Sequence, residues 1–425
     1  MRKTPKALRL QIGIFGRTNV GKSSFLNMVA GQDVAITSPV AGTTTDIVEK
    51  SMELLPIGPV VLLDTAGMDD TSELSGQRTN RARKIFSRAD VICIVVEPGI
   101  WNEYEDNIIS EAAANGVPVI AVVNKIDAME VTGPFLEAVR RKTRHVVLVS
   151  STDQSGRDRY VDALKKSLID VCPEGILSSA PLISDLVPSG GLAVLVVPID
   201  LEAPKGRLIL PQVQTIRDAL DNDSMVLVVK EREYRMVYET LKREPDLVVC
   251  DSQVVLKVVA DTPRNVKCTT FSILMARHRS DLNEMVRGAA EIAKLRPGDR
   301  VLIAEACSHH ALEDDIGRVK IPRWLRQHTG GDIKVDVCSG RDYPDDLSSY
   351  RLVVHCGGCM LTRREMLHRV RMAKEAGVSV TNYGVCIACT QGVLGRVLEA
   401  FPAALDIYNR NGHDAKGVLN EQETR

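Results

Sequence analysis

The octapeptide Gly16-Arg17-Thr18-Asn19-Val20-Gly21-Lys22-Ser23 constrains the fold of this 425-residue chain more than any other feature. It matches Gly-x-x-x-x-Gly-Lys-[Ser/Thr], follows the apolar run LQIGIF and precedes the helix-patterned KSSFLNMVA. A strand, a glycine-rich turn and a helix in that order form a loop whose backbone N–H groups point at phosphates. The glycines permit the curvature. Lys22 is placed to reach the β and γ phosphates, and the Ser23 hydroxyl, followed by Ser24, to ligate Mg²⁺. Such a loop belongs at the carboxyl edge of a parallel sheet.

The surrounding sequence supplies that sheet. LQIGIFG, VVLLDTAG, DVICIVVE, VPVIAVVNK and HVVLVSS are short, rich in Val and Ile and nearly unbroken, which suits strands buried on both faces. KSSFLNMVAG and QRTNRARKIFSRA suit helices between them. Residues 1–172 are expected to form a doubly wound α/β domain with a mostly parallel sheet.

A chain of this length holds two to four domains. The Pro-, Gly- and Ser-rich stretch VCPEGILSSAPLISDLVPSGG reads as a linker. Residues 178–265 are expected to form a small α/β domain, with GLAVLVVPI, SMVLVVK, LVVC and VVLKVVA as strands and PQVQTIRDALD and EYRMVYETLKRE as helices. It carries no catalytic constellation and reads as an oligomerisation surface. Residues 268–411 are expected to form a third α/β domain. Its strands are GDRVLIAEAC, IKVDVCSG and YRLVVHCGGC, and VSVTNYGVCIACTQG reads as a strand and turn. DLNEMVRGAAEIAKL, IPRWLRQHTG, REMLHRVRMAKEAGV and VLGRVLEAF read as helices, and the last residues as a frayed tail.

Lys and Arg number 54 against 55 Asp and Glu, so bulk charge does not favour a nucleic-acid coat. Aromatic residues are 4%, which leaves few stacking platforms for single strands. Nucleic acid is therefore not the expected partner. No apolar run approaches the roughly 18 residues that span a bilayer, and the N-terminal segment lacks a signal-peptide pattern. The expectation is a cytoplasmic protein with no membrane partner. Ten cysteines there do not make a disulfide framework. Cys93, Cys172, Cys250 and Cys268 stand alone in apolar contexts and read as buried thiols. Cys307, Cys356, Cys359, Cys386 and Cys389 cluster near the end of the chain.

Three more motifs stand at the expected strand ends. Asp64, in Asp64-Thr65-Ala66-Gly67, is placed to hold the Mg²⁺ shell, and Gly67 to offer its N–H to the γ phosphate. Asn124-Lys125-Ile126-Asp127 resembles the guanine-specificity motif of small GTPases, in which the Asp carboxylate accepts from N1–H and the 2-amino group of guanine. Adenine lacks that donor pair, so GTP and GDP are the expected nucleotides. Ser150 and Ser151 follow HVVLV where that family has its second base-contacting loop, with Ser in place of its usual Ala. Gly42-Thr43-Thr44-Thr45-Asp46 resembles switch I of Era- and TrmE-like bacterial GTPases, which implies that Thr44 ligates Mg²⁺ in the GTP state. Met68 stands where Ras-like enzymes place a water-orienting Gln, so hydrolysis to GDP and phosphate should be slow. Asn19 occupies the position that helps hold K⁺ in the TrmE-like branch, which implies K⁺ stimulation, and equally suits a plain turn residue.

Cys307-Ser308-His309 and His355-Cys356-Gly357-Gly358-Cys359 each follow a strand, where α/β units build sites. Three thiolates suit zinc or an iron–sulfur cluster. Zinc would take a histidine and close a tetrahedral site. A cluster on Cys307, Cys356 and Cys359 would leave one iron on a replaceable ligand, with His309, His355, Glu313 and Asp314 as candidates. Cys386 and Cys389 could supply a fourth ligand, form a second site, or be core thiols, the reading favoured here.

A TrmE-like GTPase domain, a linking α/β domain, then C-x-H and H-C-x-x-C resembles the HydF family of [FeFe]-hydrogenase maturation GTPases over essentially the whole chain. The resemblance implies a [4Fe-4S] cluster on Cys307, Cys356 and Cys359 and dimerisation through the middle domain. It also implies a carrier role: assembling the diiron subcluster precursor with two radical-SAM maturases and delivering it to apo-[FeFe]-hydrogenase. Two other classes compete. An RNA- or ribosome-associated GTPase with structural zinc could use Arg363, Arg364, Arg369 and Arg371 on phosphates, although a solvated helix face explains them as well. A dithiol redox enzyme would need a strongly lowered thiol pKa at Cys386 or Cys389.

Overall fold

The computed structural model describes residues 9–30, 48–64, 82–172, 181–198, 208–306, 315–340 and 342–410. The expected tail lies outside them. The chain divides into two compact units, Met1–Ser179 and Ala180–Arg425.

The first unit is built on β1 (Leu10–Phe15), β2 (Val48–Leu54), β3 (Gly58–Asp64), β4 (Val91–Val96), β5 (Val119–Val123) and β6 (His145–Leu148), in the order β2-β3-β1-β4-β5-β6. All neighbours pair in parallel except β2, which runs antiparallel to β3. The alternation of side chains splits the core in two. Val91, Cys93 and Val95 of β4 join one apolar cluster, and Ile92, Ile94 and Val96 join the other. Each such fully buried side chain contributes about 1.5–3 kcal/mol, and both faces are covered, as in a doubly wound sheet. The sequence gives no apolar run for β2, VEKSMEL, because an edge strand need bury only part of its surface.

The second unit holds two four-stranded parallel sheets. One has β7 (Leu192–Val196), β8 (Met225–Val229), β9 (Leu247–Cys250) and β10 (Lys267–Thr270) in the order β10-β9-β7-β8. The other has β11 (Arg300–Ala304), β12 (Lys334–Cys338), β13 (Leu352–His355) and β14 (Ser379–Asn382) in the order β12-β11-β13-β14. A single apolar cluster, from Leu182 to Ala404, runs through both, so two sheets share one core.

Three expectations are corrected here. The boundary at 265 precedes β10, which pairs with β9, so Thr269 belongs to the middle sheet and does not open the third. VVLKVVA is no strand: Val255–Asp261 is a helix led in by Asp251, whose side chain accepts from Gln253 N–H, and Val255 and Val258 form its buried face. Short apolar runs do not reveal their period. Tyr383–Thr390 is likewise a helix, capped by the Asn382 side chain accepting from Val385 N–H. Among the described residues no helix is long and apolar enough to cross a membrane.

Candidate functional sites

The loop after β1 is shaped by backbone that only certain residues tolerate. Gly21 sits at φ +89°, and a Cβ there would collide with Asn124 Nδ2. Asn19 is left-handed at φ +66°, which by itself accounts for an Asn at that position. Lys22 heads helix Lys22–Ala30 and is 8% exposed; its Nζ donates to the carbonyls of Gly16 and, at 2.7 Å, Arg17. Ser23 and Ser24 follow as exposed residues. Asp64 closes β3, 7% exposed, on the strand beside β1. Thr44, Gly67 and Met68 lie outside the described residues.

Asn124 joins the loops. It is 1% exposed, donates Nδ2 to Val20 O at 2.9 Å, and accepts on Oδ1 from Ser151 N (3.1 Å) and Ser151 Oγ (2.8 Å). One buried amide thus ties the phosphate loop to both base loops. Lys125, left-handed at φ +62°, donates Nζ to Asn19 O at 2.6 Å and to Glu97. Asp127 is exposed, and hydrogen bonding, first from the Ser150 hydroxyl, holds its carboxyl below the usual range, so it stands ionised as an acceptor. Thr152 Oγ1 also donates to it at 3.4 Å. Gly16, Asn19, Gly21, Lys22, Asn124, Lys125, Ser150 and Ser151 are therefore assembled into one connected set.

The sequence reading missed the supports. Arg17 forms a two-pronged pair with Glu105 (2.8 and 3.0 Å), whose side chain is 1% exposed and also accepts from Asn102 N. Glu97 follows β4 directly, the strand-end position that marks the other site residues. Asp153 accepts from Ser155 N, Gly156 N and Tyr160 OH and so holds the loop after Ser150 and Ser151.

The second site forms at the carboxyl edge of the β11–β13 pair, where Ala304 is level with His355. Cys356 N–H donates to Ala304 O at 2.9 Å, and Ala306 N–H donates to Cys356 Sγ at 3.0 Å. Cys307, His309, Glu313 and Asp314 lie outside the described residues. Gly358 turns the Cys356–Cys359 loop at φ +65°, and Thr362 then caps helix Arg363–Glu375 with Glu365. Burial pushes the Cys359 thiol up, and Arg279 opposes it. Sulfur donors in a partly buried loop, one already accepting an N–H, fit a thiolate-held cluster. No group of three His, Cys, Asp or Glu that could hold a metal occurs among the described residues.

His355 is corrected as a candidate ligand. It is 1% exposed, with Arg369 Nη1 3.1 Å from Nε2 and the Cys356 carbonyl 3.2 Å from Nδ1. A guanidinium only donates, so Nε2 accepts and Nδ1–H donates to the carbonyl. Burial first, and the Arg369 charge second, push its pKa down to about 3. Arg369 also lies over the Tyr343 ring at 4.8 Å and donates to Gly340 O at 2.5 Å. It is buried, so it is no part of a phosphate-facing basic patch.

Cys386 and Cys389 are core residues of helix Tyr383–Thr390. Burial raises both thiols, Cys389 to about 11, the opposite of a reactive dithiol. Cys338, passed over in the sequence, ends β12 beside Ala304 of β11.

Fold and phosphate loop together define a P-loop GTPase domain. A sequence model described as a 50S ribosome-binding GTPase matches residues 11–125. The tRNA modification GTPase MnmE of Bacillus cytotoxicus is 33% identical over 186 residues, 42% of this chain and 39% of that protein. MnmE of Legionella pneumophila (strain Corby) is 35% identical over 162 residues, 37% of this chain and 34% of that protein. The chain thus spans under two fifths of these relatives' length. A solved structure of an Era variant from Aquifex aeolicus with GDP·AlF4⁻ is 19% identical, covers 55% of this chain and 98% of its own, and has a TM-score of 0.32. Behind the GTPase region, the hydrogen maturase F dimerization domain matches residues 182–280 and its tetramerization domain residues 283–400. The chain belongs to the hydrogen maturase F (HydF) family, the hydrogenase maturation GTPases.

Proposed function

We propose that this GTPase is a scaffold that carries a [4Fe-4S] cluster on Cys307, Cys356 and Cys359. In this reading it holds a diiron subcluster precursor as cargo, receives it through radical-SAM maturases, and delivers it to apo-[FeFe]-hydrogenase. The observation that carries the cluster reading is the 3.0 Å hydrogen bond from Ala306 N–H to Cys356 Sγ, which joins the residue that precedes Cys307 in the sequence to the other half of the motif. When bound, the cluster would supply an iron site open to a replaceable ligand. The protein's own part is to hold the thiolates, Cys359 against the shared core and Cys356 against the small cluster of Ala306, Leu361 and Met366, and to keep both ring nitrogens of His355 engaged.

In the nucleotide site, Lys22 would meet the β and γ phosphates, with Ser23, Asp64 and Thr44 around Mg²⁺ and Gly67 N–H on the γ phosphate. Asp127 would select guanine, with Ser150 and Ser151 closing over the base. Asn19 would help hold K⁺ there and so stimulate a slow hydrolysis.

Self-association follows from the two oligomerisation domains. We place the dimer contact at β8, an edge strand of five apolar residues in which Met225 is 49% and Val228 42% exposed. We place the protein in the cytoplasm, where thiols stay reduced.

The test is iron, zinc and sulfide content of anaerobically purified protein, with an EPR spectrum after dithionite. About four irons and four sulfides per chain are expected. Cys356→Ala should lose them and keep GTP hydrolysis. Zinc alone, after attempted iron–sulfide reconstitution, would favour the RNA-associated GTPase.

A further inference from the structure

The sheet β12-β11-β13-β14 lies in the stretch that matches the tetramerization domain, residues 283–400, and its two edges differ. β14 is buried from Val380 to Asn382, and helix Leu282–Ala289 lies so close that a Cβ on Gly288 would collide with the Val380 carbonyl. β12 is open. Lys334 and Val337 are exposed, Val337 by 40%, and no described strand pairs on its outer side. Lys334 N–H donates to Asp299 O at 2.9 Å, and Cys338 O accepts from Glu305 N–H at 2.9 Å. Lys334, Asp336 and Cys338 therefore turn their backbone groups to β11, and Val335 and Val337, which alternate with them, turn theirs to the free edge.

An unpaired edge of this kind takes up another strand, and a stretch that matches a tetramerization domain makes a second copy the occupant. Two copies related by a two-fold axis would pair β12 with β12 antiparallel. Only residues with outward backbone groups can exchange hydrogen bonds, so the charges between them decide the register. Centred on Lys334 or on Asp336, the pair sets like charges opposite each other, which is destabilising. Centred on Val337, it brings no opposite charges together. Centred on Val335, it sets Lys334 of each copy opposite Asp336 of the other, with Cα atoms about 4.5 Å apart. Lys334 makes no ion pair among the described residues, and Asp336 stays partly exposed beside Arg300, 2.6 Å away.

We propose that β12 is the strand through which two dimers of this chain meet: it pairs antiparallel with β12 of a second copy about Val335, and Lys334 and Asp336 form two ion pairs across the axis. This rests on the self-association given above and adds its place and register. A lone edge lysine guards against indiscriminate pairing; set opposite Asp336 it admits one register. Because the pairing is antiparallel, the Cys356–Cys359 loops of the two copies lie towards opposite ends of the joined sheet.

The experiment is sedimentation velocity on the full chain as wild type, Lys334→Arg, Lys334→Glu, Val335→Pro, and Lys334→Glu combined with Asp336→Lys. Wild type and Lys334→Arg should sediment as four chains. Lys334→Glu meets like charge at both ends of the pair and should fall to half that mass. Val335→Pro removes an N–H that β11 does not use, so it should halve the mass and leave the far-UV circular dichroism unchanged. The double variant restores both ion pairs in reverse and should return to four chains. A mass unchanged by Lys334→Glu or by Val335→Pro overturns the contact, and a double variant that stays at half mass overturns the register. Wild type that sediments as single chains overturns the self-association and this inference with it.

Discussion

His355 Nε2 accepts from Arg369 Nη1 at 3.1 Å, and with Nδ1 turned to the Cys356 carbonyl at 3.2 Å, both ring nitrogens of this motif histidine are engaged inside the protein. Beside a cysteine proposed to hold iron, the imidazole acts as a strut. It fixes the end of β13, and Arg369 fixes it in turn through the Tyr343 ring and Gly340 O.

His355→Ala should therefore keep its iron stoichiometry. Its cost should appear as stability, about 1–3 kcal/mol, because Arg369 loses an acceptor in a buried setting. Iron analysis and urea denaturation check this. Loss of iron from a stably folded variant would return His355 to the ligand set.

Asp127→Asn should shift preference from GTP towards xanthosine triphosphate, since the new amide donates where the carboxylate accepted. Competition between the two nucleotides measures it. Unchanged guanine selectivity would refute base contact by Asp127.

Asn124→Ala should weaken all nucleotides alike. It removes the bonds to Val20 O, Ser151 N and Ser151 Oγ and strands buried groups at about 1–3 kcal/mol each. Calorimetric affinities for GTP and GDP should fall together. A fall for one nucleotide alone would contradict the cross-brace.

Glu105→Gln should cost about 1–3 kcal/mol, because it unpairs one side of a largely buried clamp on Arg17. The same variant should raise KM for GTP, since Arg17 O is also where Lys22 rests. An unaltered KM would confine Glu105 to stability.

Cys386→Ser should leave iron content unchanged and lower the urea midpoint, a hydroxyl having replaced a buried thiol within the shared core. Reduced iron uptake at an unchanged midpoint would make the pair ligands after all.

The nucleotide site was legible because its residues are short-range: each motif follows an apolar run, and backbone at a strand end can be placed from periodicity alone. The five parallel strands of the GTPase sheet were legible for the same reason, and the antiparallel β2 was not, because VEKSMEL carries no continuous apolar run. In the second unit the Asp251 cap, through the turn Ser252–Val254, and the Asn382 cap decided between helix and strand where composition could not.

By itself, then, the sequence determined a phosphate loop, a guanine loop and a cysteine motif on strand ends, since residue type and spacing suffice for chemistry that backbone geometry repeats in every parallel sheet. Tertiary structure alone decided what supports them. Glu105 reaches Arg17 across 88 residues of sequence, Arg369 engages Nε2 of His355, and Arg363 reaches the His278 carbonyl on a helix that follows the other sheet's last strand. Such long-range pairs are fixed by which faces the shared cores bury, and no local pattern encodes that.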